Sequence, residues 1–272
     1  MAKDTKIEWT DSTFNPWMGC VRMSPACKHC YAETIAGRFG LAEWGARAQR
    51  RFFGEDHWRE PLRWNRAAQQ EGRRRRVFCA SMADVFEDRR DLDPWRERLG
   101  ALIAETPMLD WLLLTKRPDR AAALAPWRDA WPENVWLGAT VETQLWAERR
   151  IPALASVPAR IRFLSCEPLL GPLDLSAWLK ARAVHWVIAG GESGPRARPS
   201  NPVWFRSLRD QCIQTQVAFH FKQWGSWAPA EANAHLMPRT VGKAGQLSLV
   251  RLSKAKAGRV LDGQIWDQLP AR

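Results

Sequence analysis

Apolar residues gather along this chain in short aromatic or β-branched runs. Longer stretches separate them, with apolar residues recurring every three or four positions. The runs are 77–80 (VFCA), 111–114 (WLLL), 135–138 (VWLG), 161–164 (IRFL), 185–188 (HWVI) and 218–221 (AFHF). Each has the length of a buried strand, and they begin roughly every 24 to 34 residues. Between them, 94–106 (PWRERLGALIAET) and 202–214 (PVWFRSLRDQCIQ) open on proline and keep helical spacing, as at a helix first turn. Residues 118–126 and 143–155 read the same way, with Pro152 expected to cut the second short. A weaker strand is expected at 6–10 (KIEWT) and another within 246–252 (QLSLVRL). Strand alternating with helix implies parallel strands joined by right-handed crossovers. The pattern therefore predicts an α/β chain, a partial (β/α)6-type TIM-like barrel over 1–224, with 225–272 as a C-terminal extension packed on it. An Arg- and Trp-rich insertion, 40–76, ends in Arg73, Arg74, Arg75 and Arg76.

In parallel βα folds the site forms at the C-terminal ends of the strands. Here those ends are polar one after another: Ser81 to Asp84, Thr115 with Lys116 and Arg117, Thr140 to Glu142, Ser165 to Glu167, Gly190 to Gly194, and Lys222 with Gln223 and Trp224. A single polar strand end only caps the next helix. Six in succession point to a rim that binds something.

Cysteine usage changes the picture further. Three of the six cysteines, Cys20, Cys27 and Cys30, fall in one loop, 15–35, after the first weak strand. They are too few and too clustered for a disulfide scaffold, so a metal centre is the better reading. Three thiolates can ligate three irons of a [4Fe–4S] cluster and leave the fourth open to chelate a small molecule through amino and carboxylate groups. Structural zinc, with His29 or a distant cysteine as fourth ligand, is the rival. For a chelated ligand, Glu142 or Asp84 could accept from an ammonium or from hydroxyls, and Lys116 could meet a carboxylate. Gly190 and Gly191 would let it approach the backbone. The N-terminus is polar and no apolar run approaches membrane-span length, so a cytoplasmic protein without a membrane partner is expected. The net charge of +12 favours a nucleic-acid partner. Among the 17 tryptophans, Trp44, Trp58 and Trp64 lie between arginines and could stack on bases or simply pack.

The segments 8–20 (EWTDSTFNPWMGC), 27–33 (CKHCYAE), 81–88 (SMADVFED), 114–120 (LTKRPDR), 138–144 (GATVETQ), 164–171 (LSCEPLLG), 188–199 (IAGGESGPRARP), 221–225 (FKQWG) and 258–270 (GRVLDGQIWDQLP) together carry a resemblance. The chain resembles the radical S-adenosylmethionine superfamily, and within it the phage- and mobile-element-associated three-cysteine-motif proteins similar to the spore photoproduct lyase group. The resemblance implies that Cys20, Cys27 and Cys30 hold a [4Fe–4S] cluster and that S-adenosylmethionine binds its open iron. A 5′-deoxyadenosyl radical would then attack a substrate. Departures are visible: six residues part Cys20 from Cys27 where the superfamily usually has three, His29 stands where an aromatic residue is common, and Gly190-Gly191-Glu192 follows a late strand rather than an early one.

On this reading the cofactor-binding candidates are Ser81, Asp84, Lys116, Thr140, Glu142, Glu167, Gly190 and Gly191. Glu192, Arg196, Arg198, Gln223 and Trp224 are candidates for substrate. Cys166, as a hydrogen-atom donor, and Lys222 are candidates for catalysis. Each has a plainer alternative: Asp84, Glu142 and Glu167 as helix caps or ion-pair partners, Cys166 and Trp224 as packing, and the Arg73–Arg76 run as a solvated face. Cys79 and Cys212 read as small buried apolar residues, and His57, His185, His220 and His235 show no ligand spacing. The expected function is modification, rearrangement or repair of a nucleic-acid base, a phage-type thymidine-derived DNA modification first among these. It would need an electron donor and could involve a partner protein. A radical enzyme for a peptide or small metabolite, and a zinc-stabilised nucleic-acid-binding protein without catalysis, are the alternatives.

Overall fold

A computed structural model of the chain describes residues 5, 7–127, 130–231, 241–244 and 247–272. Its contacts fall into two units: Met1–Ser24 with Ala32–Ala139 and Pro152–Arg162, and Pro25–Tyr31 with Thr140–Ile151 and Phe163–Arg272.

The first unit holds β1 (Ser12–Phe14), β2 (Trp17–Met18), α1 (Tyr31–Arg38), β3 (Arg51–Phe52), α2 (Glu55–Gln70), β4 (Arg75–Cys79), α3 (Asp93–Glu105), β5 (Leu109–Thr115), α4 (Ala121–Leu124) and β6 (Val135–Thr140). Strands β1, β4, β5 and β6 run parallel in that order, with Phe14 beside Cys79, Val77 beside Trp111 and Leu113 beside Leu137. Both faces of such strands are covered, so they read as continuous apolar runs. The first strand lies later than expected. Lys6 is outside the described residues, and Ile7 to Thr10 form a turn closed by the Thr10 N–H on the Ile7 carbonyl at 3.2 Å. Asp11 sets the register instead: its N–H donates to the Arg76 carbonyl and its carboxylate accepts from the Arg76 N–H at 2.7 Å.

The Arg-rich insertion contains helix α2, whose Trp58, Pro61, Trp64 and Ala68 form one buried face. Trp58 and Trp64 are therefore core residues and do not offer stacking faces, because their three- and four-residue spacing aims them inward. The arginine run is not a free solvated face either. Arg74 pairs with the buried Asp110 at 2.9 Å, Arg75 with Glu71, and Arg73 and Arg76 with Asp11, all around the start of β4.

The second unit holds most of α5 (Gln144–Ala155) and of β7 (Ile161–Cys166), then α6 (Ser176–Lys180), β8 (Trp186–Gly190), α7 (Pro202–Thr215) and β9 (Ala218–Gln223). Parallel pairing sets Leu164 beside Val187 and Val187 beside Phe219. Pro152 does not end α5, which continues to Ala155. The bond it removes would have used the carbonyl of Glu148, an exposed position near the middle of the helix. Helix α7 shows the expected signals: the Asn201 side chain caps the Val203 N–H, Pro202 follows, and Gln216 ends it in the left-handed conformation. Beyond β9 come β10 (Trp227–Pro229), β11 (Val241–Ala244) and β12 (Leu247–Arg251), an antiparallel set ordered β10-β12-β11, then α8 (Lys254–Ala257) and the hairpin β13 (Val260–Leu261) and β14 (Gln264–Ile265). The tail covers β9: the Phe221 N–H donates to the Trp266 carbonyl, the Gln268 N–H to the Phe219 carbonyl, and the Trp224 N–H to the Gly258 carbonyl. An exposed edge strand is thereby closed.

The chain is thus α/β, with four parallel strands in one unit and three in the other. That is one strand more than the six apolar runs mark, the addition being the short, polar β1. Among the described residues no helix is long and apolar enough to cross a membrane.

Candidate functional site

In the first unit, the segment carrying Cys20 lies against the C-terminal ends of β4 and β5. The Gly19 N–H donates to the Met82 carbonyl at 3.0 Å, and Gly19 bridges Ala83 in parallel fashion. Asn15, just past β1, is 1% exposed and ties the same ends: its amide donates to Ser81 Oγ at 3.1 Å and accepts from the Met82 N–H at 2.7 Å. Asp84 is buried, and its carboxylate is filled by protein donors. Oδ1 accepts from the Phe86 N–H and from Thr115 Oγ1 at 2.6 Å, and Oδ2 accepts from the Lys116 N–H and from Arg117 at 2.9 Å. It therefore offers no acceptor to a ligand and organises the strand end instead. Arg117 extends the network. It donates to the Val21 carbonyl at 2.9 Å, and its Nη1 stands 3.8 Å from Cys20 Sγ. Burial, and after it the nearby Asp84 carboxylate, push the Cys20 thiol up to about 12, against the lowering effect of Arg117. Lys116 is half-buried, and among the described residues no hydrogen bond or ion pair engages its ammonium.

In the second unit, the 25–31 segment is held by residues from the ends of β6 and β8. Pro25–Cys27 is a 3₁₀ turn, and a following turn puts the Cys30 N–H on the Cys27 carbonyl at 3.3 Å. Glu142, fully buried, accepts from the Ala26 N–H at 3.2 Å through Oε1 and pairs with Arg150 at 3.0 Å through Oε2. Arg150 also donates to the Thr140 carbonyl at 2.8 Å and lies over the Trp146 ring. Glu192 is 6% exposed and meets His29 Nδ1 at 3.2 Å. It also takes Arg198 through both the backbone N–H and the guanidinium. Arg198 then donates to the Pro25 carbonyl at 3.1 Å. Burial alone would raise the Glu192 carboxyl, but the hydrogen bonds from Arg198 and His29 outweigh it and hold it below the usual carboxylate range.

The remaining strand ends are occupied by one another. Glu167, before the cis Pro168, pairs with Lys222 at 2.6 Å. A Cβ on Gly190 would meet the Glu167 carboxylate at 3.1 Å, and one on Gly191 would lie 1.9 Å from the Trp224 carbonyl. These glycines admit neighbouring protein at close range. Gln223 is buried; its Nε2 donates to the Gly191 carbonyl at 3.2 Å and its Oε1 has no hydrogen-bond partner. Trp224 is 5% exposed, its indole donates to the Val260 carbonyl, and Phe205 and Phe221 pack on its ring, so it seals the strand end and does not present a stacking face. Cys166 is fully buried in β7, and burial, then Cys212, Glu167 and Glu142, push its thiol well above its ordinary value. Arg196 is exposed.

The model of a family described as "Protein of unknown function (DUF5131)" matches residues 4–270. The chain belongs to that family. No curated protein matches it. Solved structures of spore photoproduct lyase are similar to this DUF5131 chain at low identity. A variant with bound AdoMet and dinucleoside spore photoproduct shares 12% identity at a TM-score of 0.45, over 89% of this chain and 68% of that one. A cysteine-to-serine variant shares 12% at 0.46, over 94% and 74%.

All three loop cysteines of the DUF5131 chain are free thiols, as are Cys79, Cys166 and Cys212. Among the described residues, no three His, Cys, Asp or Glu side chains are gathered as a ready metal cage. What fits a cluster is the donor chemistry: three soft, unbridged thiols on loops fastened to strand ends. Asn15 and Arg150 are organising residues that sequence reasoning missed; Arg117 was read as part of a polar strand end and His29 as an alternative zinc ligand, neither as an organiser. Asn15 stood within the quoted 8–20 segment, but its partner Ser81 is 66 positions away. Arg150 pairs with Glu142 across the turn from β6 into α5, which neither strand nor helix period marks.

Proposed function

We propose that this protein is a radical S-adenosylmethionine enzyme on a partial (β/α) barrel, acting on a nucleic-acid base. The observation that carries the reading is that the segments bearing Cys20, Cys27 and Cys30 are each fastened to C-terminal ends of parallel strands, by Met82 and the Asp84-paired Arg117 for the first and by Glu142 and Glu192 for the others. That end is where parallel α/β folds place chemistry. The nine-segment resemblance supports it and points to the phage-associated three-cysteine-motif group. Cys20, Cys27 and Cys30 would hold a [4Fe–4S] cluster, each losing its thiol proton on binding. Bound there and reduced by an external donor, such a cluster would supply one-electron reductive cleavage of S-adenosylmethionine and so the radical chemistry for taking a hydrogen atom from substrate.

The chain's own residues orient and shield. Asp84 and Arg117 hold the Cys20 segment, while Lys116 presents an ammonium for a carboxylate. The Glu167–Lys222 pair, with Cys166 beneath it, is the candidate for proton or hydrogen-atom delivery. Exposed Arg196 is the cation assigned on this reading to substrate phosphate. The +12 charge supports a DNA substrate, and a duplex target would have to be flipped out. A thymidine-derived DNA base in a cytoplasmic setting is the substrate we favour.

Anaerobic reconstitution tests this. About four irons per chain are expected, with reductant-dependent 5′-deoxyadenosine formation lost in Cys27→Ala and stimulated by DNA. One zinc, no iron uptake and no cleavage would replace the enzyme with a metal-stapled binding protein. Cleavage stimulated by peptides or small metabolites but not by DNA would move the substrate class.

A further inference from the structure

We propose that two carboxylate–arginine pairs, Glu142–Arg150 and Glu192–Arg198, form a clamp that sets the backbone of the 25–30 segment and thereby holds Cys27 and Cys30 ready for metal. The purpose of holding them rests on the cluster reading; the clamp itself rests on geometry. Glu142 grips the Ala26 N–H and Arg198 grips the Pro25 carbonyl, so successive residues of the 3₁₀ turn are held by groups of opposite sign. Pro25's oxygen also accepts from the Lys28 N–H at 3.1 Å, which uses both of its lone pairs. Glu192 adds a third hold through His29 Nδ1 at 3.2 Å.

Each grip is backed by its own ion pair. Side chains of Glu142 and Arg150 are 0% and 3% exposed, and that of Glu192 is 5% exposed. Buried charges of this kind keep their geometry because leaving either unpaired is costly. The grips come from residues following two different strands, β6 and β8, so the segment cannot shift along one strand without breaking the hold from the other. Glu142, Glu192 and Arg198 are on this account positioning residues engaged by protein partners, where the motif resemblance implies a cofactor or substrate role.

The test uses the full chain without metal. Iodoacetamide alkylation of Cys27 and Cys30 is timed by mass spectrometry, with buried Cys79 and Cys212 reporting global opening. Glu142→Ala and Arg198→Ala are expected to speed Cys27 and Cys30 about tenfold, the effect of losing one charge-assisted hydrogen bond on local opening, while Cys79 and Cys212 stay slow. Glu142→Gln keeps an oxygen for the Ala26 N–H but leaves buried Arg150 without its counter-charge, so its alkylation rate should fall between those of wild type and Glu142→Ala. Arg198→Lys, a milder change if the alanine variants fail to fold, loses the second arm and should show a smaller acceleration. Unchanged rates at both cysteines in Arg198→Lys and Glu142→Ala would overturn the clamp. Iron uptake by the wild-type chain separates the two ideas. Iron taken up with unchanged alkylation in the variants sinks the clamp alone. No iron, with accelerated alkylation, leaves the clamp standing and sinks the cluster.

Discussion

Glu192 shows how a single residue changes meaning once its neighbours are known. In the sequence it is the acid of a Gly-Gly-Glu stretch and a candidate for substrate; in the structure it is spent on His29 and Arg198. Its carboxyl is held below the ordinary 4.5, so the unfolded chain takes up its proton first as pH falls. The stabilisation is therefore complete above about pH 4.5 and is lost as pH falls through the lower folded value. Glu192→Gln should cost about 2 kcal/mol at pH 7, a loss of charge-assisted bonds partly screened by solvent. The gap to wild type should narrow progressively as pH falls below about 4.5, measured by urea unfolding across that range. A gap independent of pH would mean that Glu192 contributes by packing and not by charge. Asp84 and Glu142 follow the same logic. Their polarity at a strand end was legible, but whether such a carboxylate faces a ligand or a buried arginine depends on partners that are distant in sequence.

At the scale of elements, the strand ends are crowded rather than open. Gly191 and Gly225 let the ends of β8 and β9 cross at backbone contact: a Cβ on Gly191 would strike the Trp224 carbonyl, and Gly225, at φ +82°, would strike that of Glu192. Gly191→Ala is expected to cost about 3 kcal/mol, the upper range for overpacking, because backbone and not a flexible side chain must move. Gly54→Ala, with open space around it, should cost under about 0.5 kcal/mol. Chemical denaturation of the two variants checks the contrast, and similar losses would refute it. The six long strands and the helices α3 and α7 were legible from period and proline placement. Helix α2 was not, since the arginines spread through that stretch blur its apolar period, yet Trp58, Trp64 and Ala68 carried its buried face. β1 escaped because it is three residues long and is defined by Asp11 and Arg76 rather than by apolar content. The tail's role along β9 was hidden for a similar reason: its contacts are backbone hydrogen bonds, which any side chain permits.

Across the whole molecule, charge is the feature with a consequence in solution. A surplus of 12 positive charges predicts that DNA binding, if DNA is the substrate, falls at least about tenfold between about 50 and about 200 mM salt. Fluorescence anisotropy with a labelled oligonucleotide measures it, and salt-insensitive or absent binding would count against a polyanionic substrate. Not all of that charge is free to act. Arg73 to Arg76, the densest run, are paired with Asp11, Glu71 and Asp110, which leaves residues such as Arg196 as the more available cations. The sequence by itself determined the α/β class, the order of the long strands and the grouping of three cysteines, because apolar period and residue spacing are local properties. Only the tertiary structure decided which polar strand-end residues are committed to protein partners, where β9 finds its cover and what grips the cysteine loop. Those outcomes depend on pairs such as Ala26 with Glu142 and Pro25 with Arg198, 116 and 173 positions apart, and no local pattern encodes which distant groups a fold will bring within hydrogen-bond reach.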